Sequence, residues 1–305
     1  MEVVEQEGFA PNPAARALVT QRTQVIGIVV PDPLEEFLGH DNPHYFSTLL
    51  QSITDMAHQR DYATLLWVGH STEDESRYYQ RILKNRLMDG LLIVASVSSE
   101  EMLLKNLVRN RTPFVLIGRP LHASDDASYV AVDNARAAQQ AVNHLLKLGR
   151  QRIGTITGTP DNVDSQDRVK GYQQALALAG IAVEPNLVVE GRFSREWGYR
   201  GMQQLLQQKV DAVFAGSDLI ALGAMQAIQE ARLRIPEDIA VVGFDDLPLA
   251  EQVQPALTTV RQPIAQKGMQ AVSILLDLIE RRVQGPVQVL LPTQLIVRES
   301  CGFVG

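Results

Sequence analysis

The chain has 305 residues, of which 45% are hydrophobic and 21% are charged, a balance typical of a folded globular protein with about two domains. Its 28 Lys and Arg against 35 Asp and Glu give a net charge of −7, which argues against a broad basic face for nucleic acid. No run of about 18 apolar residues predicts a membrane span, and the acidic start MEVVEQEGF lacks the apolar core of a secretory signal. We therefore expect a cytoplasmic protein with no membrane association.

The first 24 residues differ in composition from the rest of the chain and read as a linker holding one short helix. Asn12 suits the capping position, Pro13 suits the first helical position, and the following AARAL contains good helix formers. A helix of about two turns is marginal in water. We expect it to be ordered only when something packs against it.

From residue 25 onward, short runs of Val, Ile and Leu alternate with stretches of helical period, which predicts alternating strands and helices. The predicted strands cover residues 25–30, 63–68, 90–95, 114–118, 152–158, 187–191, 212–216 and 239–244. The predicted helices cover residues 45–59, 73–87, 135–148, 168–179, 196–208, 219–231 and 264–282. Because the strands are continuously apolar, they predict an α/β fold with parallel sheets covered by helices on both faces.

Eight or more strands would make a large open sheet, and the stretch VAVDNARAA at 130–138 offers a break. We therefore predict two doubly wound parallel-sheet subdomains with a ligand cleft between them, preceded by the short hinge helix. The predicted division is 1–24 for the linker and hinge, 25–134 plus 262–290 for the N-terminal subdomain, and 135–261 plus 291–305 for the C-terminal subdomain.

The residue patterns of common enzymes and cofactor sites are missing. There is no GxGxxG after the first strand, no GxxxxGK[ST] loop, no GxSxG elbow and no HExxH. His40 and His44 have a spacing that suits two ligands on one helical face, but Pro43 between them argues against a helix there. We therefore predict no catalysis, no metal and no cofactor.

Polar and aromatic residues follow the predicted strands, where a cleft ligand is expected. Asp218, Asp245 and Arg119 each come after a strand, and Phe193 follows closely after another. Carboxylates and a guanidinium pair with vicinal hydroxyls, and an aromatic face covers the C–H side of a sugar ring. Two other roles stay open: Asp218 could cap the helix beginning at residue 219, and Asp245 could be a turn residue.

Several stretches, taken in order along nearly the whole chain, resemble the lactose-repressor/galactose-repressor family of transcriptional regulators. The matching stretches are GFAPNPAARAL, VIGIVVPD, NPHYFSTLLQSI, MDGLLIV, PFVLIGRPL, VAVDN, RVKGYQQALALAGI, FSREWGYRGMQQLL, AVFAGSDLIALGAMQAI, IPEDIAVVGFDDLPLA and PALTTVRQP. The resemblance implies a fold of the periplasmic-binding-protein type. Most of the family's N-terminal helix-turn-helix headpiece has no counterpart, since MEVVEQEGF resembles only the end of its last helix.

The resemblance also implies which residues contact the small-molecule effector. At the matching positions stand Tyr45, Phe46, Arg119, Arg168, Phe193, Asp218 and Asp245. His44 makes the spacing after the family's Asn-Pro one residue longer, so the match does not decide between Tyr45 and Phe46. Arg119 stands at a position where members of the family vary.

The resemblance further implies that residues 12–19 form a helix on operator DNA. Two such helices enter the minor groove, and Leu18 wedges between base steps and kinks the duplex. The DNA-contacting residues implied for this hinge are Asn12, Ala15, Arg16 and Leu18. Without DNA, Leu18 is simply an exposed linker leucine.

Together these observations predict a ligand-responsive transcriptional repressor that senses a mono- or disaccharide and acts as a homodimer or tetramer on operator DNA. The alternative is a free-standing periplasmic-type sugar-binding protein, because that fold also serves sugar uptake. The missing signal sequence and the PNPAARAL hinge count against this alternative. An enzyme is the third possibility.

Overall fold

We describe residues 22–33, 43–69, 77, 80–82, 87–94, 101–120 and 126–302 of a computed structural model of the chain. The hinge residues Asn12, Ala15, Arg16 and Leu18, most of the predicted helix at 73–87, and His40 therefore lie outside the described residues.

Within these ranges, strands and helices alternate along the chain. The strands are β1 (Val25–Pro33), β2 (Ala63–Gly69), β3 (Gly90–Val94), β4 (Phe114–Ile117), β5 (Tyr129–Val132), β6 (Ile153–Thr157), β7 (Val188–Glu190), β8 (Ala212–Ala215), β9 (Ala240–Asp245), β10 (Thr258–Arg261), β11 (Gln288–Leu291) and β12 (Gln294–Ile296). The α-helices are α1 (Pro43–His58), α2 (Glu101–Arg109), α3 (Asn134–Lys147), α4 (Val163–Leu178), α5 (Arg195–Gln207), α6 (Asp218–Glu230), α7 (Leu249–Gln252) and α8 (Ile264–Ile279). Short 3-10 helices cover Pro185–Leu187 and Glu299–Cys301.

The strands form two six-stranded sheets. The first has the order β11-β5-β4-β3-β1-β2 and is parallel throughout. The second has the order β12-β10-β9-β8-β6-β7 and is parallel except for β12, which runs antiparallel to β10. Every residue of β3, β4, β6, β8 and β9 is buried. Burial on both faces explains why β3, β4 and β8 are continuously apolar and why β6 and β9 are mainly so.

The predicted α/β fold with two doubly wound parallel sheets is confirmed, and all eight predicted strands are present. The prediction missed the helices α2 and α7 and the short strands β5, β10, β11 and β12. Helix α4 begins at Val163, five residues before its predicted start, because the Asn162 side chain caps it by accepting a hydrogen bond from the Ser165 N–H at 3.0 Å. Pro43 does not lie inside a helix: it is the first residue of α1, where a missing N–H costs nothing.

The chain passes from one sheet to the other three times. Helix α3, which follows β5 of the first sheet, packs in a core of the second sheet with Phe214 and Phe244. Helix α8, which follows β10 of the second sheet, packs in the core of the first. The third passage is the short connection between β11 and β12. Three passages of the chain therefore connect the two sheets.

The segment that enters β1 is held by the carboxylate of Asp89, which lies just before β3. Asp89 Oδ1 accepts hydrogen bonds from the Thr23 N–H at 2.7 Å and the Thr23 hydroxyl at 2.8 Å, and Oδ2 accepts one from the Gln24 N–H at 2.9 Å. This side chain therefore ties the stretch that follows the predicted hinge to the first sheet.

We expect Asp89→Ala to release this stretch. Hydrogen bonds to a charged group contribute roughly 1.5–3 kcal/mol each when they are well formed, so the amide protons of Thr23 and Gln24 should exchange with solvent faster. Hydrogen–deuterium exchange of the peptide covering 22–26 measures this. Asp55→Ala on the exposed side of α1 is the matched control. Equal exchange rates in native protein and Asp89→Ala would show that the carboxylate does not hold the segment.

Among the described residues, no helix combines the length and the apolar character needed to cross a bilayer.

Candidate effector-binding site

The polar residues of interest lie where the two sheets meet. Asp245 ends β9, Gln262 directly follows β10, and Asn134 follows β5 and begins α3. Arg119 comes two residues after β4 and pairs with Asp167 on α4. These contacts bring the carboxyl ends of strands from both sheets together, which is where open parallel sheets bind ligands.

Arg168, on α4, is the central cation of this region and is only 4% exposed. Its Nε donates to the Asn134 Oδ1 at 2.9 Å, and its Nη1 donates to the Gly216 carbonyl. The guanidinium carbon lies 3.8 Å from the centroid of the Phe244 ring and 5.6 Å from that of Phe193, so both rings contribute cation–π attraction. Since Nη2 has no hydrogen-bond partner among the described residues, it remains able to donate to a ligand.

Asp245 is the acidic counterpart of Arg168. It is 4% exposed, and its Oδ1 accepts a hydrogen bond from Gln262 Nε2 at 2.5 Å. Burial raises the pKa of this carboxyl to about 6, although the positive charges of Arg168 and Lys267 and the bond from Gln262 oppose the rise. The carboxylate is therefore largely ionised at neutral pH and can accept hydrogen bonds from ligand hydroxyls.

The backbone at Asp245 is also unusual, with φ at 115°. A non-glycine residue in this region stores strain of about 1–3 kcal/mol. Such strain persists only where the surroundings fix the conformation, as they do here through β9 and the Gln262 bond. The bond from Gln262 thus fixes the position of this carboxylate at the end of β9.

A row of hydrogen bonds, which we call the Tyr45–Asp245 chain, joins the two halves. Lys267 Nζ donates to the Tyr45 hydroxyl at 3.2 Å and to Gln262 Oε1 at 3.1 Å, and Gln262 then donates to Asp245. Lys267 is only 2% exposed. A buried ammonium that is hydrogen-bonded in this way fixes the position of its partners, so Tyr45 of the first half is coupled to Asp245 of the second.

The two neighbouring aromatic residues of α1 pack edge to face, with the ring centroids of Tyr45 and Phe46 5.1 Å apart. Both are half-buried and pack against the core of the first sheet. Lys267 Nζ also lies 5.7 Å from the centroid of the Tyr45 ring. Of the two, Tyr45 is therefore the one linked to the predicted acidic site.

Phe193 precedes helix α5, and its half-buried ring rests on Gly158. A Cβ at Gly158 would lie 2.5 Å from Phe193 Cζ, so only glycine lets the ring approach the backbone this closely. The Ser194 side chain caps α5 by accepting from the Trp197 N–H at 3.2 Å, which fixes the direction in which the chain leaves Phe193.

Asp218 has no exposed surface. Its Oδ1 accepts from the Thr259 hydroxyl at 2.5 Å and its Oδ2 from the Leu247 N–H at 2.7 Å. Burial, followed by the nearby charge of Asp245, raises its pKa well above the usual value. Asp218 does not cap α6: the Ser217 hydroxyl does so, by accepting from the Ile220 N–H at 3.2 Å. The carboxyl of Asp218 therefore holds the loop after β9 and the strand β10 in place.

Arg119 is engaged by Asp167, with Nη2 at 2.9 Å and 2.8 Å from the two carboxylate oxygens and Nε at 3.2 Å. The guanidinium is about a third exposed. This paired geometry links a residue of the first half to a helix of the second and leaves Nη1 without a hydrogen-bond partner among the described residues.

The structure thus brings Arg168, Asp245, Phe193 and, through the Tyr45–Asp245 chain, Tyr45 into one region. Three of its polar members were not predicted from the sequence, namely Asn134, Gln262 and Lys267. Asn134 comes two residues after β5 and Gln262 directly follows β10, so recognising those strands would have nominated both residues. Lys267 carries no such signal, because it lies within a helix.

Comparison with known proteins places these features in a family. Residues 142–301 match the periplasmic binding protein-like domain. The HTH-type transcriptional regulator CelR of Thermobifida fusca is 34% identical over 300 residues, which cover 97% of this chain and 87% of that protein. The HTH-type transcriptional repressor CytR of Escherichia coli strain K12 is 32% identical over 307 residues, which cover 98% and 85%. The chain belongs to the LacI family of transcriptional regulators.

The structural comparison agrees with this assignment. The solved complex of the transcriptional regulator CelR with cellobiose superposes on this LacI-family chain with a TM-score of 0.85 and 32% identity, covering 98% of this chain and 88% of that one. The predicted class of ligand-responsive transcriptional regulator is confirmed. Which residues of this LacI-family regulator contact its effector and its operator stays a prediction.

Proposed function

We propose that this regulator is a cytoplasmic repressor whose cleft binds a mono- or disaccharide. The observation that carries the proposal is the opposition of Arg168, which lies between Phe193 and Phe244, and the buried carboxylate of Asp245. A guanidinium and a carboxylate together donate to and accept from vicinal hydroxyls, while the Phe193 ring covers the C–H face of a sugar. The CelR–cellobiose complex gives a related protein with a sugar ligand.

In this proposal the predicted residues have different roles. Arg168, Asp245, Phe193 and Tyr45 contact the effector directly, with Phe46 packed beside Tyr45. Arg119 lies at the edge of the cleft, where its pairing with Asp167 is available to respond to the effector. Asp218 acts as a positioning residue through Thr259 and Leu247, since both of its oxygens are already bonded.

We propose further that effector binding changes the angle between two subdomains, divided as 25–134 plus 262–290 and 135–261 plus 291–305. Residues of both halves and of the passages between them contribute to the site, so a ligand that prefers one angle shifts the population toward it. In a homodimer or tetramer, this shift would move the hinge segments, whose Asn12, Ala15, Arg16 and Leu18 contact operator DNA.

A thermal-shift screen of mono- and disaccharides tests the proposed ligand class. A sugar at about 100 times its Kd stabilises the native state by about 2.7 kcal/mol, which corresponds to a rise in Tm of roughly 5 °C for a chain of this size. We expect at least one sugar to give such a rise in the native protein. A screen in which no sugar raises the Tm, while a nucleoside or another metabolite does, would refute the assignment of a sugar effector.

A further inference from the structure

A cavity of about 180 Å³ opens at the carboxyl ends of β6 and β7, beside Phe193. Thr157 and Ser165 line its buried floor, and Gln166, Lys170 and Glu190 lie on its exposed rim. Complete pockets for small-molecule ligands span about 300–1,000 Å³. The volume here therefore suits one part of a ligand better than a whole one.

Two hydroxyl groups on the floor of this cavity lack a protein partner. Thr157 and Ser165 are each 1% exposed, and neither Thr157 Oγ1 nor Ser165 Oγ has a hydrogen-bond partner among the described residues. Thr155, two residues earlier on the same strand, shows the usual arrangement, with its hydroxyl donating to the Phe214 carbonyl at 2.9 Å. Since buried polar groups are normally hydrogen-bonded, a pair of unpartnered hydroxyls in one cavity points to a polar ligand.

The cavity lies next to the proposed effector site, at Gly158 and Gly216. A Cβ added to Gly158 would touch both Phe193 and Ser165 Oγ, so the ring and the hydroxyl lie on the same glycine. A Cβ at Gly216 would lie 3.3 Å from Thr157 Oγ1, and the Gly216 carbonyl accepts a hydrogen bond from Arg168. The hydroxyls of the cavity floor are therefore separated from the Phe193 ring by Gly158 and from the Arg168 guanidinium by Gly216.

The composition of the cavity suits a neutral, hydroxyl-rich group. Lys170 and Glu190 carry opposite charges, so the rim has no net charge from this pair, and Gln166 and Gln173 add amide donors and acceptors. Val169 and Pro160 supply apolar surface for the C–H groups of a sugar ring. Gln166 Nε2 donates to the Pro160 carbonyl at 2.8 Å, which fixes the position of this part of the rim.

We propose that this cavity is a second subsite, which receives the second ring of a disaccharide whose first ring lies between Arg168 and Asp245. The inference rests on the proposed function and narrows it, because it makes a two-ring sugar the preferred effector. Thr157 and Ser165 would bind hydroxyls of the second ring and would not touch a monosaccharide bound in the cleft.

Isothermal titration calorimetry of native protein, Thr157→Val and Ser165→Ala tests the subsite, with cellobiose, maltose and lactose as probes beside glucose and galactose. We expect the native protein to bind one disaccharide at least tenfold more tightly than its component monosaccharides. Each variant should weaken the binding of that disaccharide about five- to tenfold, the effect of losing one hydrogen bond, and should change monosaccharide affinity less than twofold. Thr155→Val is the matched control, and its sugar affinities should equal those of the native protein.

The possible failures are distinguishable. If a disaccharide binds and both variants bind it as tightly as native protein, the subsite is refuted and the proposed sugar effector stands. The same conclusion follows if monosaccharides bind more tightly than every disaccharide. If none of the five sugars binds native protein, the subsite for these disaccharides is refuted, and the thermal-shift screen decides on the sugar effector separately. Unchanged melting temperatures of the variants would confirm that any loss of affinity is local.

Discussion

Asp245→Asn is expected to remove a large pH-dependent contribution to the unfolding free energy of this regulator. The folded-state pKa of Asp245 is about 6, against a usual value of 3.8. Because the folded value is the higher one, native protein holds this proton more tightly than unfolded protein. The stabilisation from this group is therefore fully present below pH 4 and is lost as pH rises through 6. Its size is about 3 kcal/mol for a difference of about two pKa units.

The asparagine amide resembles the neutral acid, so the stability of the variant should not fall through ionisation at this position as pH rises through 6. We expect the unfolding free energy of Asp245→Asn, minus that of native protein, to increase by up to about 3 kcal/mol between pH 4 and pH 7. Denaturant titrations at several pH values measure this difference. Because both proteins share all other carboxylates, the contributions of those groups to the unfolding free energy cancel. Asp55→Asn, at an exposed position of α1, is the matched control. A difference for Asp245→Asn that stays constant with pH would contradict the raised pKa.

The same variant should weaken effector binding at pH 7.5, where the native carboxylate is ionised. Hydrogen bonds to a charged group contribute roughly 1.5–3 kcal/mol, so loss of the charge predicts at least a tenfold weaker sugar affinity by calorimetry. Increased relative stability together with decreased affinity separates a functional carboxylate from a structural one. Undiminished affinity would remove Asp245 from the proposed site.

Most of the fold could be predicted from sequence because the buried strands are mainly apolar. The run at β3, GLLIV, is buried on both faces and has no polar residue to break its pattern. The missed strand β10 reads TTVR, and β12 has three residues, of which Gln294 is exposed. Such short and polar strands are defined by their pairing with β9 and with each other, which local hydrophobicity does not report.

The candidate site was predictable to a different extent. Asp245 and Arg119 follow strands that the apolar pattern identifies, so the geometry of parallel sheets nominates them. Arg168 entered only through the family resemblance, because a helical arginine gives no local sign that it is 4% exposed. The Tyr45–Asp245 chain was beyond reach for the same reason: Lys267 and Tyr45 are 222 residues apart in sequence, and only the packing of α8 against α1 joins them.

Arg168→Met is expected to abolish tight effector binding while leaving the protein folded. Methionine keeps an apolar, flexible side chain between the rings of Phe193 and Phe244, but it removes the donors to Asn134, to Gly216 and to the ligand. Loss of the charged, fork-shaped donor set predicts sugar affinity at least 100-fold weaker, or about 3 kcal/mol. Calorimetry at pH 7.5 measures this loss, and Arg234→Met, in an exposed ion pair with Asp238, should leave the affinity unchanged.

A second readout separates loss of a ligand contact from simple disruption of packing. Arg168 lowers the pKa of Asp245, so in Arg168→Met this pKa should lie above its native value. The fall in stability caused by ionisation of Asp245 would then occur at higher pH than in native protein. If the affinity and the pH of this fall both stay native, Arg168 is neither a ligand contact nor the charge that balances Asp245. If both change as expected, a single guanidinium binds the effector and also keeps the buried carboxylate ionised at neutral pH.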